Sequence, residues 1–208
     1  MSLYGHLPDD FAGKGLNPKM YNSFLDGTNS AIEMCAVASM TGLVLDVPGM
    51  HFPPYSMKNL PKILSPIENG GLLNNSGVVE VVSCIDESGK YGAMYRPYYL
   101  VGIETPFLFP APSSACIRGE PSGAPKARIG HVATVAKKPL SPSDVLDGEG
   151  RYTVYGQLEE YSRARSQNIL PVWLCHNARV IKHINEDQIL HMDDVELMAS
   201  DLSQRLSQ

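Results

Sequence analysis

Lys138-Pro139-Leu140-Ser141-Pro142-Ser143-Asp144-Val145-Leu146 and Lys182-His183-Ile184-Asn185-Glu186-Asp187-Gln188-Ile189-Leu190 are two versions of one phrase. In each, a lysine leads to an apolar anchor (Leu140, Ile184). A polar segment follows (Ser141 to Asp144, Asn185 to Gln188), and an apolar pair closes it. Neither copy is long enough to bury a core alone, so the pair predicts a small β-unit built from related halves. From Ile129 onward the sequence runs as short strands and turns, and its acidic tail from Asp193 is predicted to end in a helix.

Upstream the pattern changes. Residues 1–17 are Gly- and Asp-rich and read as an entry loop. Pro18 suits a first helical turn, and Met20, Phe24, Leu25, Thr28, Ile32, Cys35 and Ala36 then recur at helical spacing up to Thr41-Gly42. Residues 44–76 are rich in Pro, Gly and Asn and predict irregular chain, whereas Val78-Val79-Glu80-Val81-Val82 is β-branched and predicts a strand. Tyr91 to Ile103 suits a strand or a short helix, and periodicity does not decide. Pro106 to Pro125 reads as a connector within which Ser114 to Arg118 could pair as a strand. The expected fold class is α+β: a central mixed domain over 1–125, then a small all-β domain over 126–208.

Composition narrows the function classes. Eighteen glycines and sixteen prolines in 208 residues are too many for a helical bundle. A net charge of −5 without a basic stripe argues against a nucleic-acid partner, because Arg163 and Arg165 directly follow Glu159 and Glu160. There is no apolar run of membrane-spanning length and no export signal, so a cytoplasmic protein is expected. Cys35, Cys84, Cys116 and Cys175 show no C-x-x-C pairing and read as buried reduced thiols. The six histidines lack zinc-site spacing. Mg²⁺ on carboxylates would leave no signature and stays open.

Two groups of residues could carry chemistry. Asn22, Asp26, Asn29 and Glu33 form a polar stripe on the first helix, with Lys14 and Lys19 just before it. A carboxylate beside a lysine can pass protons to or from a carbonyl oxygen. The same stripe also suits a solvated helix face. Gly27 inside the pattern marks a close approach of backbone or ligand. Arg96, between Tyr95 and Pro97-Tyr98-Tyr99, offers a fork for phosphate or carboxylate, or stacks on its tyrosines. No G-x-G-x-x-G, G-x-x-x-x-G-K-[ST] or G-x-S-x-G occurs, so the chain is not expected to bind a nicotinamide cofactor alone.

Several segments resemble a known group. They are Asn17-Pro18-Lys19-Met20-Tyr21-Asn22-Ser23-Phe24-Leu25-Asp26-Gly27-Thr28 with Ser30-Ala31-Ile32-Glu33-Met34, Gly77 to Ser83, Tyr95 to Tyr98, Arg118 to Pro121 and Asp147-Gly148-Glu149-Gly150. They look like the homoserine-dehydrogenase-like oxidoreductases with a C-terminal SAF domain, one branch of which has 1-deoxy-D-xylulose 5-phosphate reductoisomerase activity in isoprenoid-precursor synthesis. Ile129–Leu197 is similar to the SAF domain, a β-clip fold. The resemblance implies an NADP(H)-dependent reaction with the cofactor on an N-terminal Rossmann domain. This sequence begins after such a domain, which a parent or partner chain would supply.

The resemblance also implies that Asp26, Asn29 and Glu33 face a small-molecule substrate. Lys14 or Lys19 would polarise its carbonyl, Asn22 would contribute to binding and Arg96 would hold its phosphate. A homo-oligomer is expected. The sequence departs from the group at Asn29, where a lysine is expected, and the stretch from Val82 to Tyr91 is shorter. The rival expectation is a binding module for a sugar or peptide, with no catalysis.

Overall fold

The structure is a computed structural model that describes residues 17–53, 59–82 and 123–197. Helices and three two-stranded sheets alternate along these residues, an α+β arrangement. The elements are α1 (Pro18–Leu25), α2 (Thr28–Thr41), β1 (Val44–Leu45), α3 (Leu60–Ile63), β2 (Val78–Val79), β3 (Gly130–Ala136), β4 (Val154–Glu160), α4 (Tyr161–Ser166), β5 (Arg179–Val180) and β6 (Val195–Glu196). The chain forms two compact units, Met1–Cys35 with Gly130–Gln208, and Ala36–Ile129, and the division falls within α2.

The first unit is organised by the repeated phrase. Strands β3 and β4 pair antiparallel from Gly130↔Glu160 to Ala136↔Val154. The two anchors meet directly: Leu140 N–H donates to the Ile184 carbonyl at 2.9 Å, and Ile184 N–H returns to Leu140 at 3.0 Å. Around that pair, bonds recur in twos. Ser143 N–H reaches the Val180 carbonyl and Asp187 N–H the Ala136 carbonyl; Leu146 N–H reaches Ala178 and Leu190 N–H reaches Thr134. Each second bond is the first with both partners exchanged between copies, so the halves are related by a local two-fold through Leu140 and Ile184. The polar segments turn alike, with Ser143 at φ 80° and Asp187 at φ 60°. In each, the side chain of the fourth residue accepts from the first backbone N–H, Asp144 from Ser141 and Gln188 from Asn185. Leu140, Leu146, Leu170, Val180, Ile184 and Leu190 close the core. Burying aliphatic side chains on this scale is the main stabilising term of such a unit, roughly 1.5–3 kcal/mol each.

The second unit has a parallel β1–β2 pair, with Val44 opposite Val78 and Leu45 opposite Val79. Ala38, Met50, Leu73, Val79, Val81 and Val82 are its buried apolar residues.

Four expectations change. The single helix from Pro18 to Thr41 is two helices: Asp26 ends α1 by bonding back to Asn22 O, Gly27 takes φ 81°, and Asp26 Oδ1 accepts the Thr28 N–H at the start of α2. A short aspartate and a glycine together favour a cap over helix continuation. The buried face is also not the expected one: of the expected apolar stripe only Thr28 is buried, and of the polar stripe only Asn22. Asn22 and Thr28 are fully buried, while Met20, Phe24, Leu25 and Ile32 are 39–60% exposed. Residues 44–76 are not wholly irregular, since they hold β1, α3 and a 3₁₀ turn at Ile67–Asn69. Val195–Glu196 pairs with Arg179–Val180 as a strand, and the end of the tail, expected to turn helical, lies outside the described residues. Among its described residues the β-unit also carries α4 and 3₁₀ turns at Val172–Leu174 and Met192–Asp194, so it is not purely β. Tyr91–Ile103 and Ser114–Arg118 lie outside the described residues.

Candidate functional site

The polar side chains that α1, α2 and the turn between them cover have specific partners, which offset the cost of desolvating them, while Asn29 and Glu33 of the polar stripe are only partly buried. Thr28 Oγ1 accepts the Gly156 N–H of β4 at 2.8 Å. Asp26 Oδ2 receives Lys137 Nζ at 2.5 Å, with side-chain exposures of 0% and 3%. Lys137 Nζ also donates to the Arg151 carbonyl at 2.7 Å. Asp26 therefore pairs with a lysine, but with one 111 positions away, whereas Lys19 pairs with Glu149. Asn29 Nδ2 donates to Glu33 Oε1 at 2.5 Å, one helical turn along α2.

Lys19 belongs to a second pair. Its Nζ lies 2.6 Å from Glu149 Oε1, both partly exposed. Glu149 stands in Asp147-Gly148-Glu149-Gly150, whose glycines have φ 90° and 69°. The loop cannot carry side chains at either glycine. A Cβ at Gly150 would collide with the Lys19 carbonyl oxygen, and one at Gly148 would lie 2.9 Å from His176 Nδ1. Burial would raise the Glu149 pKa, but the Lys19 bond, its own backbone N–H and the nearby Lys19 and His176 charges outweigh it and hold the carboxyl below its ordinary value. Asp147 fastens the loop by accepting from Tyr152 N–H, Thr153 N–H and the Thr153 hydroxyl. Residues 147–151 thus join two lysine–carboxylate pairs, one covered and rigid and one open to solvent. The open pair can meet a polar ligand; the covered pair can only position its neighbours.

Of the expected site residues, Lys19, Asn22, Asp26, Asn29 and Glu33 are described and fall on α1, α2 and the turn between them. Lys14 and Arg96 lie outside the described residues. Sequence reasoning missed Lys137 and Glu149. Glu149 lay within a quoted motif but was given no role, and nothing in the run Ala136-Lys137-Lys138 marks Lys137 as a buried cation.

It also missed a third cluster, in the second unit. His51 Nδ1 is 2.6 Å from Glu80 Oε2, and the His51 backbone N–H donates to both Glu80 oxygens at 3.0 and 3.1 Å. Glu80 Oε1 also accepts the Val81 N–H at 2.8 Å. On the other side of the ring, His51 Nε2 is 3.7 Å from Asp46 Oδ2. Asp46 is held by backbone and side-chain N–H groups of Asn74 and Asn75, four bonds of 2.8–3.1 Å. Burial would raise its pKa, and those four bonds outweigh burial and lower it. Among the described residues no group of three or more His, Cys, Asp or Glu could hold a metal ion, so no step through Mg²⁺ is derived. No described helix is long and apolar enough to cross a membrane.

Residues 5–87 match the family described as oxidoreductase DRL, catalytic domain. The match covers less than half of the chain, takes in α1, α2 and the Asp46–His51–Glu80 cluster, and supports an oxidoreductase-type role. No curated protein matches the chain.

Proposed function

We propose that this chain supplies the substrate-binding side of an NAD(P)H-dependent oxidoreductase acting on a small phosphorylated or hydroxylated carbonyl compound. The observation that carries the reading is the likeness of residues 5–87 to an oxidoreductase catalytic domain. The nicotinamide would arrive on a Rossmann domain of a parent or partner chain, because no dinucleotide-binding motif occurs in these 208 residues. In this reading residues 1–125 are the substrate and dimerisation domain, 126–208 an SAF-like β-clip, and the assembly a cytoplasmic homo-oligomer. Lys19, half exposed and paired to Glu149, polarises the substrate carbonyl with Asn29 and Glu33 nearby along the chain, and Asn22, fully buried, supports α1 from within. Asp26, sealed against Lys137, sets the turn between α1 and α2 that presents them.

A second reading, a sugar- or peptide-binding module without catalysis, draws support from the same ion pair. A fully covered Asp26 is not available as an acid or base.

Titration calorimetry with NADPH and, separately, 1-deoxy-D-xylulose 5-phosphate, with and without Mg²⁺, tests the proposal. Binding of the sugar phosphate without NADPH is the expected result. A folded chain that binds neither overturns it in favour of the module.

A further inference from the structure

We propose that His51 and Glu80 form a proton-transfer dyad, with His51 Nε2 as the atom that exchanges a proton with a substrate oxygen. The inference rests on the oxidoreductase reading and assigns its acid–base group. Glu80 fixes the ring by accepting from Nδ1 at 2.6 Å, and it fixes the backbone under the ring by accepting the His51 N–H. That combination settles which nitrogen keeps its proton and where the other nitrogen points, as a general acid or base requires. Nε2 makes no hydrogen bond to a described residue. Its nearest carboxylate, Asp46, stands at 3.7 Å with its own lone pairs taken by Asn74 and Asn75. The His51 side chain keeps 17% exposure, whereas those of Glu80 and Asp46 keep 5% and 0%, so the ring is the part of the cluster that a ligand can reach.

The backbone agrees. Met50 and Phe52, on either side of His51, have φ of 63° and 46°. Non-glycine residues held there are strained and persist where surrounding structure over-determines them, most often at functional sites. The cluster also lies within the span that is similar to an oxidoreductase catalytic domain. In the reducing direction the imidazolium would give its Nε2 proton to the carbonyl oxygen, and a reduced nicotinamide would supply the hydride that the carbonyl carbon needs. The ring is left neutral, keeps its Nδ1 proton toward Glu80, and is reprotonated from solvent. In the oxidising direction neutral Nε2 takes the hydroxyl proton.

Nitrogen-15 NMR of the histidine-labelled chain at pH ~8.5, about two units above the ordinary imidazole pKa, tests this directly. The two-bond correlation pattern reads the tautomer of each ring. His51 is expected as the Nδ1–H tautomer, and Glu80→Gln is expected to abolish that preference. Nε2–H in the wild type overturns the dyad without any variant being made. The second measurement adds 1-deoxy-D-xylulose 5-phosphate at a concentration that calorimetry shows to be saturating. A shift of the His51 Nε2 resonance supports the proposal. Saturation with that resonance unmoved overturns the catalytic placement of His51 and leaves the proposed function standing. Absence of any binding overturns the proposed function and this role with it, and the dyad is then a clamp between the two segments.

Discussion

Asp26 shows how a side chain that looks catalytic can be explained by packing. Its Oδ1 caps α2 and its Oδ2 holds a lysine that is 3% exposed. Removing one partner leaves an unpaired buried charge, which costs about 3–5 kcal/mol, whereas replacing both by apolar groups of similar volume is often neutral. Asp26→Ala should therefore lower stability by about 3–5 kcal/mol in urea denaturation, and Lys137→Met should come close to it. Lys19→Met, at a partly exposed pair, should cost less than about 1 kcal/mol. If Asp26→Ala is as stable as the parent, the pair does not hold the turn. Acid should find the other carboxylates. Asp46, Glu149 and Asp194 are each held below their ordinary values, Asp194 because bonds from His191 and Lys182 outweigh its burial. A carboxyl lowered in the folded state stabilises that state above its ordinary pKa, 3.8 for Asp and 4.5 for Glu, and the contribution is lost as pH falls through the folded value. The urea midpoint should begin to fall below pH ~6.5, because burial holds the His131 imidazole below its ordinary value of 6.5, and fall further below pH ~5 as these carboxyls titrate; Asn74→Ala with Asn75→Ala should flatten the lower part of the fall. Cys175 behaves oppositely. Burial, then the Glu149 and Asp147 charges, push its thiol up to about 12. It should resist iodoacetamide at pH ~8 in the native chain and react only on unfolding.

At the scale of elements, local chemistry was legible where it acts over a few residues. Pro18 begins a helix, and Thr41-Gly42 ends one with Gly42 at φ 87°. Val78-Val79 is a strand. The face that α1 and α2 bury was not legible. Periodicity marks an apolar side, but which side faces inward depends on partners such as Lys137 and Gly156, 111 and 128 positions away and beyond any window in which a helix can be read. The His51–Glu80 contact, across 29 positions, was hidden for the same reason. Gly27 was read correctly as a special position, but what it supplies is a φ of 81° between the two helices. Gly150 is the sharper case, because it combines φ 69° with the Lys19 carbonyl against its missing Cβ. Gly150→Ala should lower stability by about 1–3 kcal/mol, more than the same change at Gly42, which has space around it. Equal losses at the two glycines, measured by thermal unfolding, would show that backbone conformation alone matters and the approach to α1 does not.

Across the larger β-unit, one observation in the sequence organised most of what the structure contains. The spacing of Lys138–Leu146 and Lys182–Leu190 forecast two related halves, and the halves exchange equivalent backbone bonds about Leu140 and Ile184. What the repeat could not forecast was the partner strands, since β3 and β4 have no counterpart in the phrase itself. Local duplication predicts a consequence for cooperativity. Leu140 is 1% and Ile184 2% exposed, and they face each other across a pair of backbone bonds within one apolar cluster. Truncating either to alanine should cost about 2–5 kcal/mol, from lost transfer energy plus the cavity left behind. Because the two side chains share one cavity, the double variant should lose less than the sum, with a coupling of about 0.5–3 kcal/mol. Leu146 and Leu190, fully buried and related by the same two-fold, supply the comparison. Their single losses should resemble each other if the halves are equivalent in energy as well as in bonding. A double-mutant cycle at 140 and 184 by urea denaturation measures the first claim, and the single variants at 146 and 190 the second. Strict additivity at the anchors would mean that each half carries its own core, and the repeat would then be a record of ancestry without being the unit that folds.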